Sequence, residues 1–181
     1  EMYVIAARNQ AIQKRVDLLD AAGINLDVID IQELAQRNIA ALLPEDVNGV
    51  ALLSLQEHTG LITITRQGQL YLSRTLATGV QDMAGGSDIY GYFDQIVLEV
   101  QRSLDYFESH FRQAPIRHLA LAPLTRDMPD LAGYLASNLN IETSSVDLMQ
   151  LVDSKREFPP AWQAKCFGTV GAALRQEVRA L

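Results

Sequence analysis

An α/β fold built on a mixed β-sheet is predicted by three features of the sequence. The first is a set of three strand-length apolar segments between Val50 and Arg74, close enough together to form an antiparallel meander. The second is an alternation of amphipathic helical patterns with short buried-looking strands downstream of Arg74, the order expected of parallel βα units. The third is composition. Hydrophobic residues make up 48% and charged residues 20% of the 181, the usage of a folded globular chain, which excludes disordered, collagen-like and coiled-coil readings.

Taken in order, Met2–Ala7 is a short apolar run of strand length. From Gln10 to Ala22, apolar residues at Ile12, Val16, Leu18, Leu19 and Ala22 have helical spacing, with Gly23 as the stop. Leu26–Ile29 reads as a second short strand. Asp30, three residues before Glu33, is then the expected N-cap of a helix carrying Leu34, Ile39, Leu42 and Leu43 and closed by Pro44. The polar stretch Glu45–Asn48 is the expected boundary between two subdomains, residues 1–47 and 48–181.

Beyond it come strands at Val50–Leu55, Leu61–Thr65 and Leu70–Arg74, the last two joined by Arg66-Gln-Gly-Gln, which holds the glycine of a tight hairpin. A loop of small residues around Gly85-Gly86 leads to a long helix from about Asp88 to Phe111. Its inner side is Phe93, Ile96, Val97, Val100, Leu104 and Phe107. Ile116–Leu121 is a strand, Asp127–Leu139 a helix, Ile141–Val146 a strand, and Pro159–Arg179 a final helix with proline at its start. From Val50 the order is therefore three strands, helix, strand, helix, strand, helix. The ribonuclease-H-like fold has this order, with three antiparallel strands, later parallel ones and helices on both faces. That fold carries nucleases, sugar kinases and actin-like ATPases, so it does not by itself name a function.

Several functions are excluded by the residues. The net charge of −7, with no basic stripe, excludes nucleic acid as a partner. No apolar run approaches the roughly 20 residues of a membrane span, and with a lone cysteine, Cys166, the chain reads as cytoplasmic. A two-metal nuclease needs a carboxylate on the first strand of the meander, and Val50–Leu55 has none, while Asp94, Glu99 and Asp105 fall on an outer helix face. His58, His110 and His118 lack zinc-ligand spacing, so no metal is expected. Cys166 has no neighbouring base, and neither Ser73 nor Ser103 sits in a nucleophile turn. The long helix and its start carry Tyr90, Tyr92, Phe93, Tyr106, Phe107 and Phe111, read first as core and second as a contact surface.

Five segments together resemble the actin-like pilus-assembly proteins of the PilM type, and more narrowly the MSHA-pilus biogenesis proteins of the MshI kind. They are Tyr3-Val-Ile-Ala-Ala-Arg, Ala21-Ala-Gly-Ile-Asn-Leu-Asp-Val-Ile-Asp, Gln69-Leu-Tyr-Leu-Ser-Arg-Thr-Leu-Ala-Thr-Gly, Glu99-Val-Gln-Arg-Ser-Leu-Asp-Tyr-Phe-Glu-Ser and Gly168-Thr-Val-Gly-Ala-Ala-Leu-Arg, in the family's order. The resemblance implies two actin-like lobes: residues 1–47 would be the end of the first, residues 48–181 the second, the final helix would return toward the first, and an N-terminal portion would be absent. It also implies Mg²⁺ and ATP as the ligands of an intact cleft between the lobes.

Two places in that cleft depart from the family. The second phosphate hairpin should read Asp-Ile-Gly, and Ser54-Leu55-Gln56 stand there, which removes the carboxylate and crowds the backbone cradle; Thr59 and Gly60 remain as nearby donors. The adenosine loop should be glycine-rich, and Ala122-Pro123 stand there. The cleft formed by Ser54, Gln56, Thr59, Gly60, Ala122 and Pro123 is thus expected to be degenerate, with no cofactor, no catalytic residue and no enzymatic activity. The resemblance implies a scaffold at the inner membrane whose partner is the cytoplasmic tail of a PilN-like membrane protein. The alternatives are an active ATP-binding member of the same family and a sugar-kinase-like enzyme of the superfamily.

Overall fold

The computed structural model describes residues 5–84 and 88–176. The chain falls into two compact units, Glu1–Asp30 and Ile31–Leu181.

The first unit contains one helix, α1 (Asn9–Ala21), whose Ile12, Val16 and Leu19 are half-buried. It ends as the sequence predicts. Gly23 takes φ +70°, its N–H reaches the Asp20 carbonyl, and the Ile24 N–H reaches that of Leu19, which closes a Schellman motif. The expected strand over Leu26–Ile29 is not formed. A strand needs a neighbour for its backbone groups, and this segment pairs with no strand among the described residues, leaving Ile24, Leu26, Val28 and Ile29 exposed. The expected first strand lies partly outside the described residues, and Ile5–Ala7 have no regular structure.

The second unit is a five-stranded sheet in the order β3-β2-β1-β4-β5. The strands are β1 (Val50–Leu55), β2 (Gly60–Arg66), β3 (Gln69–Leu76), β4 (His118–Leu121) and β5 (Glu142–Ser145). β1, β2 and β3 pair antiparallel, while β4 runs parallel to both β1 and β5. In the β2–β3 turn both Gln67 (φ 52°) and Gly68 (φ 72°) are left-handed, as a two-residue hairpin requires. The buried Asp46 fixes that turn by accepting the Gly68 N–H at 2.6 Å on Oδ2.

Helices cover both faces. Ala51, Leu53 and Leu55 of β1 share one core with Ile62, Ile64 and the inner face of α4 (Ile89–Phe111), where Phe93, Ile96, Val100 and Phe107 are almost fully buried. α5 (Pro129–Leu139) closes this layer through Leu131 and Leu135. The intervening residues Val50 and Leu52 face the other side and pack with Ala120, Ala122, Ile39 and Phe167. This period-2 division is what one strand between two helical layers demands. The second layer consists of α2 (Gln32–Ala40) and α7 (Pro160–Ala173). They approach so closely at Gly171 that a Cβ there would overlap the Ala35 carbonyl, and the Asn38 amide donates to the Gly171 carbonyl at 2.9 Å.

Some expectations are corrected. The N-cap of α2 is Ile31 rather than Asp30, and Pro44 opens a short 3-10 turn (Pro44–Val47) instead of ending the helix, which stops at Ala40. Two helices of one turn, α3 (Val80–Ala84) and α6 (Leu148–Leu151), are too short to show a period. α7 ends at Ala173, and residues 177–179 of the expected final helix, like Gly85-Gly86, lie outside the described residues. α2 lies in the second compact unit and packs against α7 and the sheet.

Candidate functional site

β1 and β4 lie side by side and parallel, yet the chain leaves β1 toward β2 and leaves β4 toward β5. That reversal opens a crevice at their carboxyl ends, the place where open α/β sheets bind ligands. A cavity of about 370 Å³ lies there. Ser54 and Gln56 reach it from the end of β1, Ala122 and Pro123 from the end of β4, Gln32 and Gln36 from α2, and residues 164–165 and 167–169 from α7.

Four of the six residues singled out from the sequence therefore meet in one cavity. The other two do not line it. The Thr59 carbonyl accepts the Gln56 N–H at 2.7 Å and closes the β1–β2 turn, and Gly60 lies buried with Leu55 Cδ2 and the Thr78 carbonyl close to where a Cβ would stand. The sequence showed α2 and α7 as helices but not that they wall the cavity. Gln36 carried a signal, since it is a polar residue within the inward stripe of Ala35, Ile39 and Ala40.

Gln36 organises the floor of the cavity. Its Nε2 donates to the Leu52 carbonyl at 2.7 Å, to Thr63 Oγ1 at 3.1 Å and to the Leu61 carbonyl at 3.2 Å, while its Oε1 accepts the Ser54 hydroxyl at 2.7 Å. At the rim, Gln56 Nε2 donates to Gln32 Oε1 at 3.2 Å. The floor is thus satisfied by neutral amides and hydroxyls, and Lys165 is the charged residue on the wall. No carboxylate lines the cavity and no group of acidic, histidine or cysteine side chains among the described residues could hold a metal. Such a surface can bind by hydrogen bonding; it offers no general base beside the strand ends.

The β1–β2 turn is clamped from behind. The N–H groups of Val80 and Gln81 donate to the carbonyls of Gln56 and Glu57 at 2.8 Å, and Gly79 passes so close that a Cβ would overlap both carbonyls. Asp82 accepts the Gly79 N–H at 2.8 Å and pairs with His58 Nδ1 at 2.9 Å. The hydrogen bond to Asp82, with its charge and that of Glu57, raises the His58 pKa above its ordinary 6.5, and the same hydrogen bond lowers that of Asp82 below 3.8. A raised histidine stabilises the fold most below its ordinary value and loses that contribution as pH climbs through the folded one. A lowered carboxylate contributes above its ordinary value and loses it as pH falls through the folded one. The pair is therefore complete between those limits. An NMR titration should place His58 above 6.5, and Asp82→Asn should return it to the ordinary value; an unshifted His58 in the unaltered protein would refute the pairing.

The remaining titratable candidates do not converge. His110 stacks on Tyr106, and His118 Nε2 lies 2.8 Å from Ser144 Oγ. Asp94 accepts the Tyr134 hydroxyl of α5, the half-buried Glu99 pairs with Arg102 and with Arg74 of β3, and Asp105 accepts from Gln101. Cys166 is a partly buried free thiol.

The family model for the type IV pilus assembly protein PilM matches residues 1–91. The chain belongs to the PilM family. No curated protein matches it. Among solved structures, this PilM-family chain is similar to a chain of a PilM-PilN type IV pilus biogenesis complex. The TM-score is 0.67 and the identity 19%, over 93% of this chain and 57% of that one. It is also similar to the ethanolamine utilization protein EutJ from Carboxydothermus hydrogenoformans, with a TM-score of 0.52 and 12% identity over 93% and 62%. At these identities the likeness establishes the fold, which is the actin-like, ribonuclease-H-like α/β architecture. The chain spans 57% and 62% of the length of those two structures.

Proposed function

We propose that this PilM-family chain is part of a non-enzymatic scaffold of a type IV pilus assembly platform of the MSHA kind. Residues 1–47 would close a first actin-like lobe, and residues 48–181 would form the second. The scaffold works in the cytoplasm and is held at the inner membrane by the tail of a PilN-like protein. Support for the family role comes from the match over residues 1–91 and from the likeness to a chain of a PilM-PilN complex.

The observation that carries the non-enzymatic reading is the chemistry at the two strand ends. Ser54 and Gln56 present a hydroxyl and an amide where a metal-linked phosphate needs a carboxylate and bare backbone, and Pro123 removes an N–H from the second strand end. The Ser54 hydroxyl is already committed to Gln36. Turning it toward a ligand would cost that bond.

The test is a thermal unfolding titration of the full-length protein with Mg-ATP. Ligand at 100 times its Kd adds about 2.7 kcal/mol, a rise of roughly 5–10 °C for a domain of this size. No shift at millimolar nucleotide is the expected result. A Mg²⁺-dependent rise would overturn the reading and favour an ATP-binding cleft.

A further inference from the structure

The cavity at the ends of β1 and β4 divides its chemistry in a way that selects a ligand. Its volume of about 370 Å³ is that of a small-molecule pocket. Beside the Gln36 network its inner surface is apolar, with Leu55, Leu61, Ala122 and Phe167 all more than nine-tenths buried. The rim is polar and only partly committed. Gln56 Nε2 donates to Gln32 Oε1, which leaves Gln56 Oε1 and Gln32 Nε2 without a partner among the described residues. Lys165 of α7 forms no ion pair among them either. As the one charged residue in the lining, Lys165 gives the rim a single positive charge with no carboxylate to answer it.

Gly168 adds an independent observation. It lies in the interior of α7 without a positive φ, and no atom stands within 4 Å of the place its Cβ would take. Neither backbone conformation nor packing therefore calls for glycine, which costs helix stability relative to alanine. Gly171 has its reason in the Ala35 backbone, whereas Gly168 lines the cavity. Bare backbone at this point leaves room for a molecule to lie against α7 beside Lys165 and Thr169.

We propose that this cavity binds a small organic monoanion without a metal ion. Its apolar body would lie against Leu55, Leu61 and Phe167, its acidic group would meet Lys165, and its edge would bond the Gln32 and Gln56 amides. Charge and donor set decide between ligands. A metal-linked phosphate brings more negative charge than one lysine answers, and no carboxylate in the lining could hold the metal. A cation is repelled by Lys165, and an uncharged apolar molecule gains nothing from it. The inference rests on the cavity having lost its metal–phosphate chemistry and is separate from the scaffold role.

The probe is anilinonaphthalene sulfonate, an aromatic body with one negative charge, added to the folded full-length protein. Expected is a saturable rise in its fluorescence. Hexanoate should reverse that rise, and hexanol at the same concentration should not. Lys165→Met should weaken dye binding about fivefold, the worth of one exposed ion pair, whereas Lys155→Met, outside the cavity, should leave it unchanged. Gly168→Leu should fill the cavity from α7 and abolish binding, with circular dichroism and Tm preserved because leucine favours the helix. No fluorescence rise overturns the proposal. So do equal losses from Lys155→Met and Lys165→Met, full binding by a folded Gly168→Leu protein, and displacement by hexanol as effective as by hexanoate. None of these outcomes touches the scaffold reading, which falls only to a Mg²⁺-dependent shift with ATP.

Discussion

Replacing Gly171 with alanine is expected to destabilise the second unit by about 3 kcal/mol, whereas the same change at Gly168 in the same helix should stabilise it by about 1 kcal/mol. Gly168 has no atom near the place a Cβ would take, so only the helical preference for alanine is felt. At Gly171 the added methyl meets the Ala35 backbone, which cannot rotate away as a side chain could. The helices must separate, and that strains the Asn38 amide bond to Gly171. In thermal melts the two variants should differ in sign, with Tm lower by roughly 6–12 °C and higher by roughly 2–4 °C respectively. A Gly171→Ala protein that melts at or above the unaltered one would mean that α2 and α7 leave room for a methyl group between them.

Gln36→Leu should cost about 3 kcal/mol in urea unfolding, although leucine fills nearly the same volume. The loss comes from partners that give up their bond to Gln36: the buried Leu52 carbonyl and Thr63 Oγ1, and the half-buried Ser54 hydroxyl. Ser54→Ala alone should cost less, because Ser54 is only half-buried. Combined with Gln36→Leu it should cost less than the sum of the two by about 1 kcal/mol, as one orphaned hydroxyl disappears. Strict additivity in that cycle would refute the hydroxyl-to-amide link on the cavity floor.

How far the sequence revealed this structure depended on the range of the forces involved. β1, β2 and β3, the β2–β3 turn and α4 were legible because each is specified by its own period or by Gly68. Leu26–Ile29 looked like a strand for the same reason, but strandedness is a property of pairs, and apolar alternation cannot supply a neighbour. α3 and α6 span too few residues to repeat. In the cavity, Ser54, Gln56, Ala122 and Pro123 could be found from strand ends alone. Gln32, Gln36 and the α7 wall could not, since what brings them there is the absence of a side chain at Gly171, whose meaning emerges only once Ala35 is opposite it.

The bond from Asn38 to Gly171 joins residues 133 apart in sequence. On a ribosome, every strand of the sheet has therefore been synthesised before the helix that closes the cavity exists. Until then Leu52, Ala120 and Ile39 present an uncovered apolar layer, the kind of transient surface that chaperones occupy. The cavity is thus the last part of this unit to be closed.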